Sequence, residues 1–435
     1  MTPSDRQALE EAEKRHLWHP FTQMKAWCAA DHHPVILDRG EGAHLWDIEG
    51  NKYIDGNSSI WTNCHGHNHP KINQAIADQL QKVAHVSFLG STNAPAIQLA
   101  ERLVRLFPPN TLSRVFYSDD GSTAVEVAIK MALQYWQLAN QPERKNFLSF
   151  QGAYHGDTTG ASSLGNIGTF HDRYHALHFP VRHVAGMEEL RALDSQTLRG
   201  IAAIIIEPLI QGAAGMRLWP HGMLKELRKW CDDTGTLLIF DEVLTGFGRT
   251  GTLFACQQEG VLPDFLALAK GITGGYLPLA VTLTTEAIFE AFLGEYDELK
   301  TFFYGHSYCG NPLGCAAALA SLQIFEDDNM LEKLQGKIAL MQKLLNALSV
   351  HPHVGEIRQC GFMAGIDIVK EKAMPFPWQE QTGNRVCVAA RKHGLLTRPI
   401  LDTVVLMPPY CIRDEDLEHA IQAIHRAISE VCGEN

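Results

Sequence analysis

One lysine in this sequence stands where a charged side chain is unusual. Lys270 lies between the apolar run "LALA" (266–269) and the turn "GITGG" (271–275). A lysine removed from water loses its preference for the charged form, and its neutral amine can attack a carbonyl to form a Schiff base. An isolated Ala-Lys-Gly is more often an exposed lysine whose stem covers apolar surface. The interpretation of Lys270 therefore depends on the residues that fold around it.

A second candidate, Asp241, follows the apolar run "TLLIF" (236–240). We predict that the runs before Asp241 and Lys270 are buried strands, which bring both side chains to the carboxyl edge of one sheet. Open α/β sheets bind ligands at that edge. A carboxylate there suits the ring nitrogen of pyridoxal phosphate (PLP), which withdraws electrons while it is protonated. The alternative use of Asp241 is a helix cap or a structural turn.

A phosphate site is indicated by "YSDDGSTAVEVA" (117–128), in which Gly121 and Ser122 precede a helical pattern. Backbone N–H groups at the start of a helix attract anions, although an ordinary helix cap is the commoner use of such residues. Tyr154 in "GAYHGDT" (152–158) is an aromatic side chain able to stack on a ring. Its alternative is a core tyrosine.

Composition excludes several other functions. The net charge of −12 argues against nucleic acid or an anionic membrane as a partner. The ten cysteines are scattered, the first twenty residues do not resemble a signal peptide, and no apolar run reaches membrane-spanning length. These features favour a cytoplasmic enzyme. The histidines of "CHGHNHP" (64–70) lack further ligands at usual zinc spacing, so we expect no metal site.

The elements that must position these residues alternate along the chain. Strands are predicted within 114–122, 146–150, 200–209, 236–243 and 264–271, and helices over 123–139 and 222–235. This alternation predicts an α/β fold with a mostly parallel sheet. After about residue 327 the pattern changes to helices over 330–348 and 414–432 with two short strands in 355–369. We therefore predict an N-terminal segment (1–65), a large PLP-binding domain (66–329) and a small α+β domain (330–435).

Three motifs in this order resemble the class III aminotransferases of PLP fold type I: "FDEVLTGFGRTG" (240–251), "AKGITGGYLPLA" (269–280) and "GHSYCGNPLGCAAALA" (305–320). The resemblance covers essentially the whole chain. It implies a seven-stranded, mostly parallel sheet, with Lys270 bound to PLP and Asp241 paired with the ring nitrogen. It also implies a homodimer, in which Ser307 reaches the phosphate from a partner subunit. The implied cofactor-binding residues are Gly121, Ser122, Tyr154, Asp241, Val243, Lys270 and Ser307, with Val243 and Tyr154 on opposite ring faces.

Within the class, four segments are similar to the members that aminate 8-amino-7-oxononanoate in biotin biosynthesis: "HLWHPFTQM" (16–24), "SSIWTNCHGHNHP" (58–70), "AYHGDT" (153–158) and "TRPILDTVVLMPPY" (397–410). Arg398 matches the arginine that grips the substrate carboxylate, a task that suits its planar guanidinium. Asp157 is expected to support the cofactor site. The implied substrate-binding residues are Phe21, Ile60, Trp61, Tyr154, Arg249, Gly305 and Arg398.

The sequence departs from that pattern in the substrate pocket. The best-known members carry tyrosine at Phe21, tryptophan at Ile60, and Pro-Thr at His306 and Ser307. Their usual amino donor is S-adenosyl-L-methionine, whereas some relatives use L-lysine and have motifs closer to those found here. Both donors therefore stay open from the sequence. Another class III ω-aminotransferase is a further alternative, which the segments 16–24 and 397–410 argue against.

Overall fold

The structure, a computed structural model, describes residues 3–433. Seven strands form a central sheet in the spatial order Leu112–Ser118, Ala280–Thr285, Phe265–Leu268, Leu237–Asp241, Ile201–Ile206, Asn146–Phe150 and Val181–Val184. Six strands run in one direction, and Ala280–Thr285 runs antiparallel to both of its neighbours. The predicted α/β fold with a mostly parallel seven-stranded sheet is confirmed.

The central strands are apolar throughout because both faces of the sheet are covered. All residues of Ile201–Ile206 and Leu237–Asp241 are buried. Along each strand, successive side chains join opposite cores, as the strand period of two requires. Ile205 and Ile239 pack with the helix Gly121–Leu138, whereas Ile204 and Leu238 belong to the core that includes the helix Met223–Thr234. The sheet is thereby rigid where its carboxyl edge holds polar side chains.

Local signals explain where the two helices beside the sheet begin and end. Gly222 and Gly235 flank Met223–Thr234 with φ values of 88° and 65°, which favour glycine. The helix predicted over 123–139 begins earlier, at Gly121, because Asp120 caps it. The Asp120 carboxylate accepts from Thr123 N at 2.9 Å, and the Thr123 hydroxyl accepts from Asp120 N at 2.9 Å.

The two ends of the chain share a sheet. Leu395–Leu396 pairs in parallel with Lys52–Asp55, which extends a small N-terminal sheet formed with Leu37–Glu41 and His44–Asp47. The N-terminal segment is therefore built onto the C-terminal region. The three-way domain division stays a prediction, and its outermost residues, 1–2 and 434–435, lie outside the described residues.

The C-terminal region matches its predicted elements. Its long helices are Met330–Leu348 and Asp414–Cys432. The two strands predicted within 355–369 are Val354–Cys360 and Met363–Glu371, an antiparallel pair to which Thr403–Leu406, Pro399–Ile400 and Met374–Pro375 add. Together with the helix Thr382–Lys392 these form the smaller α+β part of the molecule.

Shorter elements connect these parts. The remaining α-helices are Pro3–His16, Met24–Trp27, Ser58–Trp61, Pro70–Leu80, Ala94–Val104, Thr159–Leu164, Gly168–His171, Met187–Arg191, Ser195–Arg199, Cys256–Glu259, Glu286–Ala291 and Pro312–Asp327. The 3₁₀ helices are Asp172–Leu177, Lys270–Thr273, Tyr296–Glu298 and Trp378–Glu380, and Ile210–Gln211 pairs with Arg217–Leu218 as a separate hairpin. Within residues 3–433, no helix combines the length and the apolar character that crossing a bilayer requires.

Candidate active site

A cavity of about 400 Å³ lies at the carboxyl edge of the central sheet. We call it the central cavity. Its volume is in the range of sites for small molecules and cofactors. Its polar and aromatic lining residues include Trp61, Thr62, Asp119, Asp120, Ser122, Tyr154, His155, Glu207, Asp241 and Lys270, with Gly121, Gly156 and Val243 between them.

Lys270 enters the central cavity just after the strand Phe265–Leu268, as the first residue of a 3₁₀ helix. Its φ of 45° is in the left-handed region, which costs a non-glycine residue on the order of 1 kcal/mol or more. The Lys270 ammonium nitrogen lies 4.9 Å from the ring centroid of Trp61. Burial lowers the pKa of Lys270 below its ordinary value, although Asp241 and Glu207 act against that change. The amine therefore gives up its proton more readily than an exposed lysine does.

Asp241 ends the strand Leu237–Asp241, and two donors hold its carboxylate in place. Its Oδ2 lies 2.8 Å from His155 Nδ1, and its Oδ1 accepts from Val243 N at 3.1 Å. Both acidic and imidazole side chains are almost fully buried. His155 Nε2 in turn lies 3.4 Å from the Ser149 hydroxyl. Sequence reasoning did not single out His155, and its only signal is its place after Tyr154 in "YHGDT".

Glu207 is a second lining residue that sequence reasoning did not single out. Its carboxylate accepts from Tyr154 N at 3.2 Å and from Gly212 N at 3.0 Å. Burial raises the pKa of Glu207 to about 7, with the negative charge of Asp241 adding to the rise. The available signal was the one used for Asp241, namely a carboxylate directly after an apolar strand in "IIIEPL".

Gly121 and Ser122 form one end of the central cavity, at the start of the 18-residue helix Gly121–Leu138. A Cβ atom built on Gly121 would lie 2.5 Å from Val243 Cγ1, and one on Gly156 would lie 2.2 Å from Ser122 Oγ. Glycine is therefore required at both places for the backbones to come this close. The result is a narrow turn with free N–H groups at the positive end of a helix, which suits a phosphate group.

Tyr154 lines the same cavity and is tied to its neighbours. Its hydroxyl donates to Asp157 Oδ2 at 2.6 Å, and Asp157 N donates to Ser122 Oγ at 3.1 Å. Asp157 thus links the aromatic ring to the glycine turn. Burial, followed by the hydrogen bond to Asp157, raises the pKa of the Tyr154 hydroxyl above its ordinary value. Tyr154 is a neutral hydrogen-bond donor here rather than a phenolate.

The predicted substrate-binding residues divide into two groups. Trp61 and Tyr154 line the central cavity. The others do not: Phe21 and Ile60 are 59% and 41% exposed, and Gly305 and Arg398 are exposed. Ser307, predicted to bind phosphate across a subunit interface, is also exposed and outside this chain's own cavity. The roles of these residues stay predictions.

Arg249, the remaining predicted substrate-binding residue, belongs to neither group. It is fully buried, but it does not line the central cavity. Its Nη1 donates to Pro408 O at 2.9 Å, and its guanidinium lies 4.9 Å from the ring centroid of Tyr410. In this structure it joins the loop after Asp241 to the C-terminal region. A contact between Arg249 and substrate stays a prediction.

Two of the three histidines of "CHGHNHP" are hydrogen-bonded to other side chains. His67 Nε2 lies 2.9 Å from Asp55 Oδ2, and His65 Nε2 lies 3.0 Å from the Ser321 hydroxyl. Burial lowers the pKa of His65 to about 3, so its imidazole is neutral. Across residues 3–433, no three His, Cys, Asp or Glu side chains come together as a metal ion would require.

A mostly parallel sheet with a partly buried lysine and a buried carboxylate at its carboxyl edge is the arrangement of a transaminase. The family of class III aminotransferases matches residues 27–428, and the chain belongs to that family. An adenosylmethionine-8-amino-7-oxononanoate aminotransferase from Geobacter sulfurreducens is 46% identical over 100% of both chains. One from Aquifex aeolicus is 48% identical over 98% of both chains.

Solved structures agree with this assignment. The adenosylmethionine-8-amino-7-oxononanoate aminotransferase of Methanocaldococcus jannaschii is 43% identical, with a TM-score of 0.95 over 98% of this chain and 100% of that one. The omega transaminase of Pseudomonas jessenii, solved in complex with PMP, is 28% identical, with a TM-score of 0.91 over 98% of this chain and 100% of that one.

Proposed function

We propose that this chain is a PLP-dependent aminotransferase that moves an amino group from S-adenosyl-L-methionine to 8-amino-7-oxononanoate and yields 7,8-diaminononanoate for biotin biosynthesis. The observation that carries the proposal is the pair Lys270 and Asp241 in one cavity with the glycine turn of Gly121 at its end. Full-length relatives at 46% and 48% identity carry the name of this reaction.

The chemistry of the lining residues fits PLP. The cofactor needs an amine for its aldehyde, a carboxylate for its ring nitrogen, flat contacts for its ring and N–H donors for its phosphate. Lys270, Asp241, the pair Tyr154 and Val243, and the Gly121 turn meet these needs in one cavity. When bound, PLP supplies an electron sink that lets a proton leave the carbon beside the amino group.

Lys270 would hold the cofactor covalently through its amine, and in its free form it would act as the base. Because burial lowers its pKa, a larger fraction of the released side chain is neutral and able to take the proton from the donor Cα. The protonated amine of Lys270 would in turn be the acid that returns the proton. The nearby Trp61 ring covers the Lys270 nitrogen and limits the access of water.

Asp241 would hold a proton on the ring nitrogen. The bond from His155 fixes the direction of its carboxylate, because both groups are buried and no water competes for them. His155 is thus a positioning residue for Asp241. The Glu207 carboxylate accepts a hydrogen bond from Tyr154 N and so fixes the backbone of Tyr154, whose side chain lines the central cavity.

Arg398 would bind the carboxylate of 8-amino-7-oxononanoate. Arg398 is exposed and forms no ion pair with any residue of 3–433, so the N–H edge of its guanidinium is free for a bidentate contact. It precedes Pro399–Ile400, and Ile400 packs against the apolar cluster that contains Trp61. This packing connects the strand that follows Arg398 to Trp61, which lines the central cavity.

We further propose a homodimer in the cytoplasm. The exposure of Ser307 outside this chain's own cavity supports a role toward a second subunit. The ten cysteines, all unpaired, support a reducing compartment.

The test is a pair of half-reactions on the PLP-loaded enzyme. S-adenosyl-L-methionine or L-lysine is added alone, and the cofactor absorbance is followed; 8-amino-7-oxononanoate is then added to reverse the change. We expect conversion with S-adenosyl-L-methionine and reversal by the keto acid. If L-lysine converts the cofactor and S-adenosyl-L-methionine does not, the proposed donor is wrong, while the proposed acceptor is unaffected. A converted cofactor that 8-amino-7-oxononanoate fails to reverse would overturn the acceptor.

A further inference from the structure

Two carboxylates stand directly beside the proposed phosphate site. Asp119 and Asp120 both line the central cavity and immediately precede Gly121. A phosphate monoester carries nearly two negative charges at neutral pH, so free carboxylates in this place would repel it. The Asp120 carboxylate is turned into the helix, where it accepts from Thr123 N at 2.9 Å. The question is what keeps Asp119 from opposing the phosphate.

The partner of Asp119 comes from a distant segment. His306 Nδ1 lies 2.8 Å from Asp119 Oδ2, and His306 Nε2 lies 2.9 Å from the Tyr304 hydroxyl. The imidazole is therefore held at both nitrogens. The Lys130 ammonium nitrogen lies 4.8 Å from the centroid of the Tyr304 ring. Lys130 belongs to the helix Gly121–Leu138, so this helix contacts the tyrosine that holds His306.

The Asp119–His306 pair lies at the margin of the cavity. The side chains of His306 and Asp119 are 25% and 34% exposed. The neighbouring Gly305 and Ser307 are exposed and make no contact with this chain's own cavity. His306 is the residue of the segment 305–307 that contacts Asp119 of its own chain.

We propose that His306 is a positioning residue for phosphate binding. By donating to Asp119 it holds that carboxylate away from the anion. This inference rests on the proposed function, because it takes PLP as the ligand of the central cavity. Without the imidazole, Asp119 is free to turn toward the phosphate position, and the cofactor's phosphate group binds less tightly.

The test compares two ligands that differ only in the phosphate. Apoenzyme is titrated with PLP and with pyridoxal, and both dissociation constants are measured by absorbance and by fluorescence quenching. For His306→Ala we expect the PLP constant to rise about three- to tenfold, the scale of a partly exposed charged hydrogen bond. The pyridoxal constant stays as in the wild type, because pyridoxal carries no phosphate to be repelled.

A double variant separates charge from loop architecture. In Asp119→Asn/His306→Ala the unpaired carboxylate is gone, so we expect the PLP constant to return to within about twofold of the wild type, a margin smaller than the hydrogen-bond effect itself. A role of His306 in loop structure alone predicts no such rescue. The matched control is His175→Ala, which removes a histidine paired with Asp172 at 3.2 Å on the surface. The control leaves both constants unchanged.

Each outcome decides one point. Equal weakening for PLP and pyridoxal, or a double variant as weak as His306→Ala, would overturn the role of His306. An unchanged PLP dissociation constant in His306→Ala would also overturn the role of His306. The proposed function would still stand in that case, provided that the wild-type apoenzyme binds PLP. A wild-type apoenzyme that binds neither ligand would instead overturn the proposed function. Melting temperatures of all variants show that each one is folded.

Discussion

Replacing Gly121 with alanine tests how closely the cavity walls must approach each other. A Cβ on Gly121 would lie 2.5 Å from Val243 Cγ1 and 3.0 Å from Val243 Cγ2. Ordinary contacts begin at 3.4 Å, so Val243 must withdraw by nearly an ångström. Its backbone is held by the hydrogen bond from Val243 N to Asp241 Oδ1. The side chain therefore moves rather than the backbone, and the space open to it is the central cavity.

The cost of the substitution falls on cofactor binding and not on the stability of the apoenzyme. In the apoenzyme Val243 relaxes into the empty space, and the melting temperature changes little. With PLP present that space is filled, so the strain of an overpacked contact, about 1–2 kcal/mol, opposes binding. The PLP dissociation constant of Gly121→Ala should accordingly rise about five- to thirtyfold.

The assay combines melting temperatures of the apoenzyme with PLP titrations. Gly336→Ala is the matched control, because Gly336 lies in the helix Met330–Leu348 and its added Cβ meets nothing within 4 Å. That variant should have the same PLP dissociation constant as the wild type, and its free energy of unfolding should be higher by about 0.5–1 kcal/mol. In a Val243→Ala background, Gly121→Ala should have little further effect on the PLP constant.

Two results would refute the argument. An unchanged PLP constant in Gly121→Ala would mean that the glycine turn adapts without loss of the cofactor site. Full additivity of Gly121→Ala and Val243→Ala would mean that the two residues do not act through their contact.

Three further substitutions test other parts of the site. Lys270→Ala should bind PLP only noncovalently and lose turnover, so borohydride should no longer trap an adduct; near-wild-type transamination would contradict its role. Arg398→Ala should raise KM for 8-amino-7-oxononanoate roughly 10- to 100-fold, and an equal loss in the donor half-reaction would remove that assignment. Glu207 has its pKa raised to about 7 by burial, from 4.5. Its stabilising effect on the folded state is therefore complete below pH 4.5 and lost as the pH rises through 7. The melting temperature of apo Glu207→Gln, relative to wild type, should accordingly rise between pH 5 and pH 8; a difference that does not change with pH would exclude a buried, neutral carboxyl.

Much of the fold could be read from local patterns. Continuous apolar runs predicted the strands Ile201–Ile206 and Leu237–Asp241, because a strand covered on both faces has no polar side. The strand Ala280–Thr285 was not assigned, although its valine and three threonines are β-branched residues that favour strands. Its antiparallel direction depends on its two neighbours in space, which no local pattern records.

The candidate site divides in the same way. Residues whose chemistry is rare in their local setting, such as Lys270 and Asp241 after apolar strands, were visible in the sequence. His155, Glu207 and the pair of Asp119 with His306 were not. Their importance comes from a hydrogen bond across 86 residues, from burial, and from a contact across 187 residues.

The sequence by itself determined the fold class, the lysine and the carboxylate, because strand period, apolar runs and motif spacing are local properties. The tertiary structure alone decided which groups orient that carboxylate, which glycines keep the cavity open, and that Phe21, Ile60 and Arg398 stand outside the central cavity. The physical reason is that these properties depend on distances between segments far apart in the chain. Such distances are set only when the sheet, the helix starts and the loops pack together.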